Sequence, residues 1–279
     1  MGSNSATVAE ASNDSSADLS ADLGAAVLRP IRAHAFEACV ERLATAIRLG
    51  AFPPGSLLPP ERELAARLHV SRATLREAII ALRSAGMVVT SRGRGGGTSV
   101  SYRPPEPGAP STDWLATRRV ELVDSLQFRR IIEPGACFVA AGRQLDSAAA
   151  DRLVTCEAAV RQAADSAAHR QADSRLHLAI ATVTSSRMIM DAVTHVQSEL
   201  HEMLEAIPVL GRNIAHSNHQ HSAIVAAILD EKPLAARRAM EKHCDDTEAL
   251  LHGLLGLPDP LGPPDLIKDN TTSTPVEGI

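Results

Sequence analysis

Asp173 and His177 stand four residues apart in QADSRLHLAI, so both side chains share one face if the stretch is helical. Two further imidazoles, His221 in HQHSAIVAAI and His243 in MEKHCDD, fall on separate segments of helical periodicity. One carboxylate and three neutral imidazoles from three helices form a donor set for a divalent ion in a bundle core. Such donors suit zinc, nickel, manganese and iron alike, so the set does not choose among them. A loaded site would carry about +1 by simple count, and would accept an anion in an open coordination position. His219 competes with His221, but residues two apart on a helix are about 200° apart, and Ile224 and Ile228 put His221 on the apolar side. The alternative is a set of hydrogen-bonded core residues without an ion. With 11 histidines in the chain, that alternative stands. His195, His201 and His216 read as exposed or internally satisfied.

A second chemistry lies upstream, in LLPPERELAARLHVSRATLREAIIALRSAGMVVTSRGRGGGTSV (residues 57–100). Ser71 is a good N-cap and Gly86 a good left-handed stop; between them Leu75, Ala78, Ile79 and Leu82 recur at helical spacing. Arg72 and Arg76 lie one turn apart on the other face, beside Thr74. A shorter amphipathic helix, Glu61 to Leu68 with Arg62 outward, precedes it across a His69-Val70 corner. Two helices joined by a tight turn, the second presenting arginines from its N-terminal end, is the arrangement that enters a DNA major groove. Val88–Thr90 and Thr98–Val100 are β-type and flank Arg92-Gly93-Arg94-Gly95-Gly96-Gly97, the basic tip of a wing. Without Cβ atoms, the glycines let the backbone come close to a duplex. The alternative is a solvated arginine face on an ordinary helical hairpin.

These two sites set the elements required around them. An amphipathic helix from Ile31 to Leu49, with Val40, Leu43 and Ile47 inward, must back the helix pair. Four prolines and a glycine in RPPEPGAPST mark a spacer. After it, the pattern is helical throughout, over about 114–126, 127–143, 147–167, 169–184, 187–206, 213–230 and 233–255, with breaks at Gly135, Gly142, Ser185-Ser186, Pro208–Gly211 and Pro233. The expected class is mainly α: an N-terminal winged helix-turn-helix over 28–103, a linker over 104–112, and a C-terminal all-α antiparallel bundle over 113–257. Residues 1–27 and 258–279 read as disordered or loose tails.

Charge divides along the same line. The net charge is −5, but residues 29–103 hold 12 Arg, 5 Glu and no Lys or Asp, which makes that module +7 and the remainder −12. A basic module on an acidic body fits a nucleic-acid reader, and arginine suits bidentate contact with phosphate or guanine. Cys39, Cys137, Cys156 and Cys244 are scattered without a C-x-x-C pair and read as buried thiols of a reducing cytoplasm. No run of 18 apolar residues and no signal-peptide pattern occur, so no membrane partner is expected.

The run PPERELAARLHVSRATLREAIIALRSAG with its Gly-rich wing resembles the winged helix-turn-helix of the GntR family of bacterial transcription regulators. Pro60 stands where that family usually has Ser, and Ala73 where Thr is common. Asp-x-x-x-His, His-x-x-Ile and Met-x-x-His are similar to the helical effector-binding domain of its FadR-type branch, with Leu176 in place of a usual Phe and Ser186-Arg187 where Asn is common. The resemblance implies that Asp173, His177, His221 and His243 hold the ion. It also makes Arg129, in FRRIIE, a clamp for a carboxylate effector, although Arg130 beside it competes and either can pair with Glu133. The implied function is a homodimeric regulator, a repressor for choice, that reads an inverted repeat in a double-stranded DNA operator and responds to a small carboxylate. A metal-dependent enzyme fused to a DNA-binding module is the weaker reading, because no H-E-x-x-H pairing is present. A bundle that only senses metal and dimerises is the third.

Overall fold

The computed structural model of the protein describes residues 35–91, 93, 96–104, 112–205 and 211–255. Among these residues the chain forms nine helices and one two-stranded sheet, an N-terminal winged helix followed by a helical bundle. The expected linker over 104–112 and both expected tails fall almost wholly outside the described residues.

Helix α1 (Ala35–Arg48) buries Cys39, Leu43 and Ile47, four residues apart each time. Cys39 takes the inward position that the sequence pattern gives to Val40, which is half-buried. Helix α2 (Glu61–Leu68) begins at Pro60 without a side-chain cap and ends where His69 turns left-handed at φ 54°. Helix α3 (Arg72–Ser84) starts at Ser71, whose hydroxyl accepts from the Thr74 amide at 3.0 Å. Gly86 (φ +73°) then turns the chain into β1 (Val88–Ser91), paired antiparallel with β2 (Gly97–Val100) from Val88↔Val100 to Ser91↔Gly97. Leu43, Ile47, Leu75, Leu82 and Val88 pack into one core. Each such side chain contributes about 1.5–3 kcal/mol by leaving water.

The bundle comprises α4 (Thr112–Ala141), α5 (Ser147–Arg161), α6 (Ser166–Val183), α7 (Arg187–Glu205), α8 (Gly211–Leu229) and α9 (Pro233–Leu255). The expected pair of helices over 114–126 and 127–143, with a break at Gly135, is one helix of 30 residues running through Pro134. Proline there removes one donor to the preceding turn. Burial on both sides of it outweighs that loss: Leu122 and Leu126 pack with Leu200, Met203 and Leu251, while Cys137, Ala140 and Ala141 join the main core. Helix α5 ends six residues earlier than expected. The cause is Asp165, which accepts from the Ala168 amide at 2.7 Å and starts α6 there. All four cysteines are free and buried, as expected.

The two parts meet at the end of α1. Leu49 has no exposed surface and packs with Ala136, Leu178, Ala181 and Val193 of the bundle. The Gln171 amide donates to the Ile47 and Arg48 carbonyls at 3.1 and 3.2 Å, satisfying two acceptors that a helix end leaves open. Arg48 lies 3.5 Å from Glu202. Gly50 sits at φ +72°, and a Cβ on it would stand 2.4 Å from Gln171 Cγ. Gly50→Ala is therefore expected to cost at least about 1 kcal/mol in left-handed backbone alone, and more from displacing Gln171. A thermal melt should show a lower midpoint, by roughly 2–4 °C per kcal/mol. The loss should shrink when Gln171→Ala is already present, since the clash partner is then gone.

Candidate functional site

Helix α6 supplies Asp173 and His177, α8 supplies His221 and α9 supplies His243. One ligand-capable atom from each lies within 4.8 Å of the others. His221 Nε2 is 3.3 Å from one Asp173 carboxylate oxygen, and His177 Nε2 is 3.8 Å from the other. The three ring centroids are 4.6 to 5.5 Å apart. The imidazoles are buried and Asp173 is half-buried.

What orients the rings lies one layer out. Glu133 Oε2 is 3.0 Å from His177 Nδ1, and the Gln220 side-chain carbonyl is 3.1 Å from His243 Nδ1. Gln220 in turn donates to Asp246 at 2.7 Å. The Gln220 contact assigns the His243 proton to Nδ1, while the Glu133 oxygen stands at ion-pair distance from His177 Nδ1 without completing a hydrogen bond. Among the described residues, the Nε2 atoms of His177, His221 and His243 are buried and make no hydrogen bond. Buried nitrogens without partners are costly, and three converging beside a carboxylate fit the donor requirements of a divalent cation.

Glu133 also resolves the choice between the two arginines. Arg129 is 2 % exposed and its Nε donates to Glu133 Oε2 at 2.8 Å. Arg130 points outward to Asp245 and Glu241. Burial works against charge on both Arg129 and Glu133, but their mutual attraction wins, raising the arginine pKa and holding the carboxylate far below its usual range. Asp173 is lowered in the same way: burial opposes its charge, and His221 and His177 favour it. Arg129 Nη1 is buried with no hydrogen-bond partner among the described residues. Arg129 lines a cavity of about 150 Å³ together with Asp173 and His243.

On the winged helix, Arg62 and Arg72 are exposed. Arg76 is exposed too, but its Nε donates to Glu61 at 2.8 Å, an ion pair it must leave to reach DNA. Thr74 is half-buried, with its hydroxyl 2.8 Å from that of Ser71. Gly93 has φ +104° at the wing tip, while Arg92, Arg94 and Gly95 lie outside the described residues.

Gln197, Gln220 and Gln171 were not singled out from sequence. Gln197 donates to Glu133 Oε1 at 2.5 Å and interrupts the apolar run Val193, Val196, Leu200, which is a readable signal for a buried polar partner. Gln220 hides beside the better candidate His221. Gln171 binds carbonyls more than 120 residues away and leaves no local trace.

A basic winged helix-turn-helix joined to a helical bundle with a buried polar centre defines a DNA-binding transcription regulator with a second, helical domain. Residues 36–98 match the family model described as bacterial regulatory proteins, gntR family, and residues 124–246 match that of the FCD domain. The chain is 30% identical over 198 residues to a provisionally named L-lactate dehydrogenase operon regulatory protein of Escherichia coli, covering 68% of this chain and 75% of that one. It is 27% identical over 230 residues to the Glc operon transcriptional activator of Escherichia coli, covering 78% and 89%. With RmpR of Mycobacterium gastri, a provisionally named HTH-type transcriptional regulator, it shares 29% over 209 residues, covering 74% and 76%. The chain belongs to the GntR family of transcription regulators, with an FCD domain at its C-terminal side. No helix among the described residues is long and apolar enough to cross a membrane.

Burial takes the His221 pKa down to about 4, and burial with repulsion from His221 and Arg129 takes His243 well below its ordinary 6.5. In the unfolded chain both protonate near 6.5; in the folded, metal-free protein they do not until much lower pH. Their contribution to stability is therefore complete above about pH 6.5 and is lost as pH falls toward 4. Each proton taken up on unfolding adds about 1.4 kcal/mol per pH unit to the slope. Melts of chelator-treated protein between pH 7 and 4.5 should show this fall, and His243→Gln should make it shallower.

Proposed function

We propose that the protein is a homodimeric, ligand-responsive repressor that reads an inverted repeat in a DNA operator through Arg62, Arg72, Thr74, Arg76 and the wing residues Arg92, Gly93, Arg94 and Gly95. In this reading Asp173, His177, His221 and His243 hold a divalent ion (zinc, nickel, manganese or iron), and Arg129 clamps the carboxylate of a small effector. The observation that carries the effector site is the convergence of buried polar atoms without hydrogen-bond partners, among them the three Nε2 nitrogens and Arg129 Nη1. When bound, the ion supplies positive charge and an open position for an anionic oxygen. The chain's own residues do the rest. Glu133 and Gln220 fix the rings, Arg129 offers a donor that costs nothing to desolvate on binding, and α6 links the centre to Gln171 at the end of α1. A ligand that binds better to one placement of α6 shifts the population of DNA-competent heads.

A second copy is supported by α4. Val120, Ile131 and Phe138 are exposed at 79%, 70% and 42%, lie within about 20° of one another around the helix, and flank Gly135, where the space is open. Such a stripe suits closure on its own symmetry mate.

The trial is a metal titration of the full chain by calorimetry, beside His221→Ala with His243→Ala. The wild type should bind one ion per chain and gain about 2.7 kcal/mol of stability at a hundredfold excess over Kd. The double variant should lose the ion and the response to carboxylates, yet keep its affinity for an operator selected from random duplexes. A double variant that still responds to carboxylates sinks the site. On the same operator, Arg72→Ala is expected to lose about 1–3 kcal/mol and to relax selectivity at one base pair. Unchanged footprints for Arg72→Ala would remove that residue from the reading face.

A further inference from the structure

His243 can serve an ion only through Nε2, because its Nδ1 faces the Gln220 side-chain oxygen at 3.1 Å in the protein interior. Which nitrogen of a neutral imidazole carries the proton follows from the hydrogen bond the ring makes. Here that choice is made one side chain further away. Asp246, one turn after His243 on α9, accepts from the Gln220 amide at 2.7 Å, from His216 Nε2 at 2.7 Å and from Lys242 Nζ at 2.8 Å. Burial opposes its charge, and the hydrogen bonds from His216, Lys242 and Gln220 hold its pKa below the ordinary value. It is therefore a carboxylate at neutral pH, and a carboxylate only accepts. The group of Gln220 that faces it must be the NH2, which leaves the Gln220 oxygen for the ring. That oxygen accepts too, so the His243 proton sits on Nδ1 and the Nε2 lone pair stays open to a cation. Gln220 and His243 are both buried, so a turned amide or a misplaced proton would leave two like groups facing each other. Asp246 is 33% exposed and lines the same cavity as Arg129.

From this chain of donors and acceptors we infer that Asp246 is a positioning residue: it sets the Gln220 amide, and through it the tautomer of His243, so that Nε2 is available to a divalent cation. The inference rests on the ion-binding reading above and adds a group that acts on the donor set through another side chain. The two tautomers of a histidine are close in energy, so the ring needs such a constraint. Without Asp246 the Gln220 amide can turn over, donate to an unprotonated Nδ1 and leave the proton on Nε2, where a cation would have to displace it. Groups that orient a ligating ring are worth about 10- to 100-fold in ion affinity.

The test uses the full chain, nitrogen-15 labelled at histidine, with zinc as the probe ion. Long-range proton–nitrogen spectra of ion-free protein near neutral pH read the tautomer, the His243 signal being assigned by its loss in His243→Gln. Wild type should carry the proton on Nδ1, and Asp246→Ala should show a substantial population with it on Nε2. Asp246→Lys, which places a pure donor there, should shift the proton in the same direction. Melts establish which of the two variants fold. Zinc affinity, measured by competition with a chelator, should fall on the order of tenfold in either. Adding Gln220→Glu to Asp246→Ala should return both readings toward wild type, because a carboxylate at 220 accepts from Nδ1 without help from 246. Asp245→Ala, which removes a neighbouring charge paired with Arg130 instead, should leave the tautomer unchanged. A His243 proton that stays on Nδ1 in every folded Asp246 variant overturns the inference even if zinc binds more weakly, since loss of a nearby charge weakens a cation without moving a proton. Wild type with the proton on Nε2 overturns it too. If the tautomer shifts as expected but wild type binds no zinc at micromolar concentration, the setting of His243 by Asp246 stands and the ion-binding reading falls.

Discussion

One buried carboxylate joins the helices of the FCD domain. Glu133 has 2 % of its surface exposed and would not ionise there without partners, yet three elements converge on it. Arg129 reaches it from its own helix, His177 from α6 and Gln197 from α7, with the Cys244 thiol of α9 at 3.8 Å. A buried charge of this kind gains little net stability over an apolar core, but removing Arg129 would leave it uncompensated. The helices are thereby fixed in register about one point. Both the proposed ion site and the proposed carboxylate clamp depend on that point, since the same oxygen faces His177 Nδ1 and receives Arg129 Nε.

Periodicity and capping made most of the architecture readable. Ser71, Gly86 and the Leu75-to-Leu82 stripe mark out α3, and β-type segments on either side of an arginine- and glycine-rich tip mark the wing. The long α4 was not readable, because Pro134 and Gly135 are local break signals, and what overrides them is packing against helices as far away as Leu251. Asp165 was a missed cap of the ordinary kind: a short polar side chain accepting from an amide three residues on. Ala163, Ala164, Ala167 and Ala168 on either side of it favour a continuous helix and mask that signal.

The site was legible to a different depth in each layer. Asp173, His177, His221 and His243 come together because each sits on an apolar stripe, and stripes face one another in a bundle. Sequence left Arg129 and Arg130 undecided, since adjacent helix positions differ by about 100° and only the packed α9 acidic face decides which turns outward. The residues that orient the rings were hardest to see. A glutamine next to a histidine, or one in an apolar run, has meaning only once its partner on another helix is known.

The Gln171 amide finishes a helix in another part of the molecule. It closes the open carbonyls at the end of α1, and Leu49 beyond them has no solvent contact except through loss of the bundle. The DNA-reading part is thus not a self-sufficient folding unit at that corner. Cut away from the bundle, it would expose Leu49 to water and leave α1 to fray from its last turn. In the intact chain, amide exchange at that turn would report openings of the bundle as well as its own, two regions breathing together as one cooperative unit.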